Sequence, residues 1–188
     1  MTFDDLKNLV QNSRCYRIFD ANFQIPHQDL VDLVELARIS SSARNTQPLR
    51  YKIIDKNPQK LEIFTPLRWA SNLSWNGPSI HEMPSAFIVV CKDTNLGEFA
   101  LVDAGIAMQN IMLGLKSKGL DGCMLASIDK QKYKEVLQLP QDIEPMFAIA
   151  IGKADQKIEM IESSDTKYYR NEDKTHIVPK LPLNEVLL

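Results

Sequence analysis

A net charge of −2 on 188 residues, with no Lys- or Arg-rich block, leaves no concentrated basic face for a nucleic-acid backbone and excludes that class of partner. The composition, 44% hydrophobic and 24% charged, suits a packed core, and no repeat, low-complexity tract or Gly/Ser linker divides the chain, so one domain over residues 1–188 is expected. Cys15, Cys91 and Cys123 lack C-x-x-C spacing and have only His27, His81 and His176 for company, which predicts three free thiols, two of them buried, and neither a disulfide framework nor a metal site.

In chain order, the first predicted helix runs from Phe3 to Asn12, with Phe3, Leu6, Leu9 and Val10 at helical spacing. Its acidic start lacks the cationic region of a secretory signal, so a cytoplasmic protein is expected. A second helix begins near Pro26 with Leu30, Val31, Leu33, Val34, Leu36 and Ala37 as its stripe. Arg50–Asp55 and Leu61–Phe64 read as short strands around a Lys56-Asn57-Pro58 turn, and Ala86–Cys91 reads as a central strand, with Pro66–Pro84 irregular between them.

Phe99–Leu115 is too short and too interrupted, by Asp103, Gln109 and Asn110, to cross a bilayer, so no membrane partner is expected. Its apolar and small residues occupy every face of a helical wheel, and such a helix has to be covered on all sides, one of them by a second subunit. Gly122–Ala126 and Pro145–Ile151 are then predicted strands flanking a helix, Lys130–Leu139, which Pro140 stops. The tail from Asp155 is polar but ends in an apolar segment, Ile177–Leu188, that should dock against another surface.

Two polar segments stand out. Arg14-Cys15-Tyr16-Arg17 supplies fixed positive charge, and Ser41-Ser42-Ala43-Arg44-Asn45-Thr46-Gln47-Pro48 supplies hydrogen-bonding groups on a loop after a helix. Together they meet the needs of a flat heteroaromatic ligand carrying a phosphate, a description that flavin mononucleotide (FMN) fits. No G-x-G-x-x-G or P-loop pattern is present, so a dinucleotide is not held in the Rossmann manner.

The segments RCYRIF and SSARNTQP, followed in order by RWASNLSWNGP, PSAFIVV, DAGIAMQNIMLG, GLDGCMLASID, FAIAIGK and KYYRNEDKTHIVPK, resemble the nitroreductase family of flavin oxidoreductases over nearly the whole chain. The resemblance implies an α+β fold with a central mixed, mostly antiparallel sheet surrounded by helices, in an intertwined homodimer that exchanges C-terminal arms. It implies FMN as cofactor, NAD(P)H as co-substrate, and ping-pong electron transfer to nitroaromatic, quinone or similar flat acceptors. The same scaffold is also associated with dehalogenation, enone reduction, flavin fragmentation and non-catalytic flavin binding, and those alternatives stay open here.

Carried over position by position, the resemblance puts Arg14 and Cys15 near the phosphate or ribityl chain and Arg17 near the flavin N1 and C2 carbonyl. It puts Ser42 and Asn45 on the flavin from the other subunit, Gln47 where it orients that loop within reach of the ring or ribityl chain, the backbone of Met124, Leu125, Ala126 and Ser127 along the N5 and O4 edge, and Lys180 near the phosphate. No side chain is a catalytic acid, base or nucleophile, because the chemistry belongs to the flavin. Trp69 and Trp75 are candidates to wall the acceptor space. The chain departs from common family residues at Ser13 (Arg), Cys15 (Ser), Leu49 (Trp), Leu181 (Arg) and the Met-Leu-Ala stretch (Pro-x-Glu).

Overall fold

The computed structural model describes residues 1–188, which run α1 (Phe3–Asn12), α2 (His27–Arg38), β1 (Leu49–Ile54), α3 (Gln59–Phe64), β2 (Ala86–Asp93), α4 (Ala100–Ser117), β3 (Asp121–Leu125), α5 (Lys130–Val136), β4 (Ile143–Gly152), β5 (Ile158–Glu162), β6 (Tyr169–Arg170), β7 (His176–Lys180) and α6 (Leu183–Val186). Strands β1-β2-β4-β3 form an antiparallel four-stranded sheet, and β5-β7-β6 form a second sheet of three. Parallel pairing enters only at β5–β7 and at a single bridge between Cys15 and Gly122. The result is an α+β fold of mixed, mostly antiparallel strands. No helix is long and apolar enough to cross a membrane.

The continuous apolar run of β2 follows from burial on both faces. Ala86, Ile88 and Val90 join Ile149 and Ile151 of β4 against α2 and α4. On the opposite face, Phe87, Val89 and Cys91 join Ala148, Ala150 and Cys123 against Ile63, Trp69 and Tyr133. Each such aliphatic or aromatic side chain contributes about 1.5–3 kcal/mol when fully buried. Pro145, which cannot donate to a ladder, sits where the β2–β4 register shifts between Val90 and Cys91, a position that tolerates the missing N–H.

The first helix has the predicted limits, and its start is fixed because Thr2 and Asp5 cap each other: the Thr2 hydroxyl accepts from the Asp5 amide at 3.2 Å and the Asp5 carboxylate from the Thr2 amide at 2.6 Å. Leu61–Phe64, expected as a strand, is instead the end of α3. Pro58, already in helical conformation, precedes it, and the run is short enough that one buried anchor, Ile63, decides its form. The helix expected to reach Leu139 stops at Val136, ahead of Gln138 at φ 51° and Pro140. The polar tail contains β5, β6 and β7, none of which its pattern announced.

Helix α4 packs Ala104, Ala107, Ile111 and Leu115 into the core, yet Leu101 and Val102 remain 66% and 57% exposed on its other side, near Ile106. The end of the chain is similarly bare at Leu183, Val186, Leu187 and Leu188.

Gly122 of β3 is where α4, the central sheet and the cationic turn meet. A β-carbon there falls 2.6 Å from Leu115 Cδ1 and 3.0 Å from both the Ala150 carbonyl oxygen and the Met112 sulfur. Gly122→Ala is expected to destabilise the fold by about 1–3 kcal/mol, read as a lower urea midpoint at unchanged slope. A wild-type midpoint would contradict this packing.

Candidate functional site

The turn after α1 holds its arginines by local bonds. Arg14 Nη2 donates to the Val10 carbonyl, and the Tyr16 amide donates to Gly122 at 2.9 Å, which pins the turn to β3. Arg17 is fixed three times: its amide donates to Gln156 Oε1 at 3.0 Å, and Nη1 donates to the Cys15 carbonyl at 3.0 Å and to His176 Nε2 at 3.2 Å. The guanidinium also lies over Tyr168, 5.3 Å from the ring centroid.

A cavity of about 350 Å³ opens beside this turn, within the range of small-molecule sites. It brings Arg14, Cys15, Arg17, Met124 and Lys180 together although they are far apart in sequence, and no carboxylate lines it. Three permanent cations without an acid make it a site for an anion. The buried Nε of Arg14 and Nδ1 of His176 have no hydrogen-bond partner within the chain.

Leu125, Ala126 and Ser127 do not line that cavity. Alternation along β3 turns the Leu125 side chain into the opposite core face, and the Ser127 hydroxyl, beyond the strand, donates to the Arg68 carbonyl at 2.6 Å. Trp69 is buried in the core, whereas Trp75 lies 4.1 Å beneath Arg170.

Ser42, Asn45 and Gln47 lie elsewhere. Ser42 and Gln47 line a separate cavity of about 160 Å³ with Asp103, and Asn45 sits exposed on the same loop. Arg44, Asn45 and Gln47 all have positive φ, at 52°, 55° and 47°, a conformation that persists only when surroundings enforce it. Asp103, buried on α4, does so: one carboxylate oxygen accepts from the Ser42 hydroxyl at 2.6 Å and the other from the Ala43 amide at 3.0 Å. The Ser42 oxygen in turn accepts from the Gln47 amide at 3.0 Å. Asp103 on one cavity and Met112 on the other are about 14 Å apart along α4, at about 1.5 Å rise per residue. Within one chain the expected residues therefore form two groups, both lined in part by the same helix.

Sequence reasoning missed the roles of Asp103, whose signal was its interruption of an apolar run, and of Tyr168 and His176. His176 is 1% exposed and stacks on Tyr168 at 5.2 Å. Arginine can only donate, so His176 Nε2 accepts and the imidazole proton resides on Nδ1. Burial, then the charges of Arg17 and Arg170, push the His176 pKa down to about 4.

That shift has a stability consequence. The folded chain keeps His176 neutral while the unfolded chain protonates it near its ordinary value of about 6.5, so the contribution is complete above that pH and is lost as pH falls toward about 4. Urea midpoints measured from pH 7 to 4 should fall more steeply for wild type than for His176→Gln, whose amide oxygen can accept from Arg17 without titrating. Parallel pH profiles would contradict a neutral buried His176.

A sequence profile described as the nitroreductase family matches residues 10–77 and 73–153. The oxygen-insensitive NADPH nitroreductase of Helicobacter acinonychis (strain Sheeba) is 26% identical over 78% of this chain and 86% of its own. The FMN reductase (NADPH) of Bacillus subtilis (strain 168) is 28% identical over 76% of this chain and 63% of its own. Among solved structures, the nitroreductase family protein of Streptococcus pneumoniae TIGR4 superimposes with a TM-score of 0.70 at 19% identity, covering 97% of this chain and 98% of that one. The profile spans well over half of the chain, from the end of α1 to the end of β4, and the chain belongs to the nitroreductase family.

Proposed function

We propose that this chain is an FMN-dependent NAD(P)H oxidoreductase of nitroaromatic, quinone or similar flat acceptors, working as a homodimer. The observation that carries the reading is the cavity of Arg14, Arg17 and Lys180, cationic and free of carboxylates. Those residues fit a phosphate and a ring that becomes anionic on reduction. The related proteins named as NADPH nitroreductase and FMN reductase (NADPH) support the cofactor pair.

Bound FMN would supply the redox chemistry, taking two electrons from NAD(P)H and passing them to the acceptor after the nicotinamide leaves. The protein's part is to bind, orient and polarise. Arg14 and Lys180 hold phosphate charge, Arg14 as a fork and Lys180 as a point charge. Arg17, kept in place by Gln156, the Cys15 carbonyl and neutral His176, holds a fixed cation where negative charge develops. Because His176 stays uncharged, it orients Arg17 without repelling it. Met124 lines the cavity from β3.

Two copies complete the site in this reading. The Ser42–Asn45–Gln47 group lies apart from the cations in one chain, while the α4 face at Leu101, Val102 and Ile106 and the apolar end of the chain are uncovered. Pairing through α4 with exchange of the terminal arm covers both surfaces and offers each loop to the partner's cavity.

The purified protein should be yellow and should bleach anaerobically with NADH or NADPH; a yellow protein inert to both would overturn the oxidoreductase reading. Arg17→Ala should weaken FMN retention and lower the flavin midpoint potential by about 30–60 mV, from about 1.5–3 kcal/mol for a charged hydrogen bond on a two-electron couple. An unchanged potential in flavin-loaded mutant would remove Arg17 from that role. Truncation after Lys180 spares β7 but removes the bare Leu181–Leu188 arm. Sedimentation should then show a dimer weakened at least tenfold, because several aliphatic side chains at about 1.5–3 kcal/mol each exceed any exposed ion pair. Wild-type association would make the arm dispensable.

A further inference from the structure

One thiol of this chain, Cys15, lines the cationic cavity, and a second, Cys123, lies in the core cluster against which Cys15 packs. The bridge between Cys15 and Gly122 places Cys15 diagonally across from Cys123, the next residue of β3. Strand segments about 4.8 Å apart, offset by one residue, put two α-carbons about 6 Å from each other, inside the span a disulfide requires. In a regular ladder residues offset by one point to opposite faces, but Cys15 sits on an isolated bridge and its side chain packs against the core cluster that contains Cys123, while the Cys123 thiol donates to the Met124 carbonyl at 3.7 Å.

The two sulfurs have unequal surroundings. Cys15 is half-buried and lines the cavity with Arg14, Arg17 and Lys180, so it faces cations and an entry route. Cys123 is buried in the core beside Phe19, Ala150 and Leu125, with no route of its own. The hydrogen bond from Cys123, then the Met124 amide and the charges of Arg17 and Arg14, outweigh burial and lower the Cys15 pKa to about 6. The same contact with Cys15, together with burial, holds Cys123 well above the ordinary thiol range. Such asymmetry separates an attacking thiolate from a thiol that follows it. Cys91, on β2 and opposite Pro145, lies several residues farther along the sheet and is pushed up to about 12 by burial.

We infer that Cys15 and Cys123 form an oxidation site for hydroperoxides, with Cys15 the attacking residue and Cys123 the resolving one. The Cys15 thiolate attacks the peroxide oxygen, the O–O bond breaks, and the leaving alkoxide or hydroxide takes a proton to give alcohol or water, leaving Cys15 as the sulfenic acid. Cys123 sulfur then attacks Cys15 sulfur; hydroxide leaves and takes the Cys123 proton as water. In net terms two thiols and one hydroperoxide give one disulfide, one water and one alcohol, or two waters from hydrogen peroxide. The product ties the cationic turn to β3 and removes a negative charge from beside Arg14, Arg17 and Lys180.

This site is read by mass, independently of whether the cavity takes a flavin. Full-length protein is treated with equimolar hydrogen peroxide, blocked with iodoacetamide after unfolding, and digested with trypsin without reduction. The expected product is the Cys15–Arg17 peptide linked to Gly119–Lys130, two hydrogens lighter than the separate peptides and released by dithiothreitol, with Cys91 alkylated throughout. In Cys123→Ser, dimedone should label Cys15, and in Cys15→Ser no oxidised Cys123 should form. Wild-type protein in which Cys15 stays a thiol, or accumulates sulfenic or sulfinic acid without the link, overturns the inference, and this arm holds even if a variant fails to fold.

Discussion

Helix α4 is apolar on every face, and one chain covers only part of it. The side toward β2 and β4 is filled by Ala104, Ala107, Ile111 and Leu115, while Leu101, Val102 and Ile106 face outward. Both parts of the candidate site touch this helix. Asp103 near its start enforces the strained Ser42–Gln47 loop through two carboxylate bonds, and Gln109 and Met112 farther along line the cationic cavity. A helix that supports two partial sites and leaves an apolar stripe between them gives a physical reason for pairing and for a site that pairing completes.

The electrostatics of the cavity rest on what is missing from its lining. Arg14, Arg17 and Lys180 converge with no carboxylate, so their mutual repulsion is relieved only by solvent or by a bound anion. Local bonds offset part of that cost: the Val10 and Cys15 carbonyls and the neutral Nε2 of His176 accept from the two guanidinium groups. A charged imidazole in place of His176 would add a fourth cation to the cluster, and burial beside Arg17 and Arg170 prevents it.

Much of this was legible in the sequence where a local rule acts alone. The Thr2–Asp5 cap makes α1 start where its pattern says, and the two-sided burial of β2 shows as an unbroken apolar run. Leu61–Phe64 misled because four apolar-rich residues fit either period, and Pro58 decided for helix. The second sheet stayed hidden because β5 and β6 are short and lie in a polar stretch of chain, and their order comes from pairing with β7. Of the candidate residues, family resemblance brought forward Arg14, Cys15, Arg17, Met124 and Lys180, which the fold gathers around one cavity. Asp103 and His176 act by holding other residues, and neither spacing nor composition marks a side chain with that task.

The central claim is that one functional site takes its cations from one chain and its Ser42–Gln47 loop from another. Mixing two defective variants tests it: Arg14→Ala/Arg17→Ala, and Asn45→Ala/Gln47→Ala, unfolded together at equal concentration and refolded with FMN. Random pairing makes half the dimers mixed, each with one intact site, so about a quarter of wild-type NAD(P)H-dependent flavin reduction should return although neither variant alone supports it. Activity no higher than that of the unmixed variants, in a preparation shown by mass to contain the mixed dimer, would contradict a shared site.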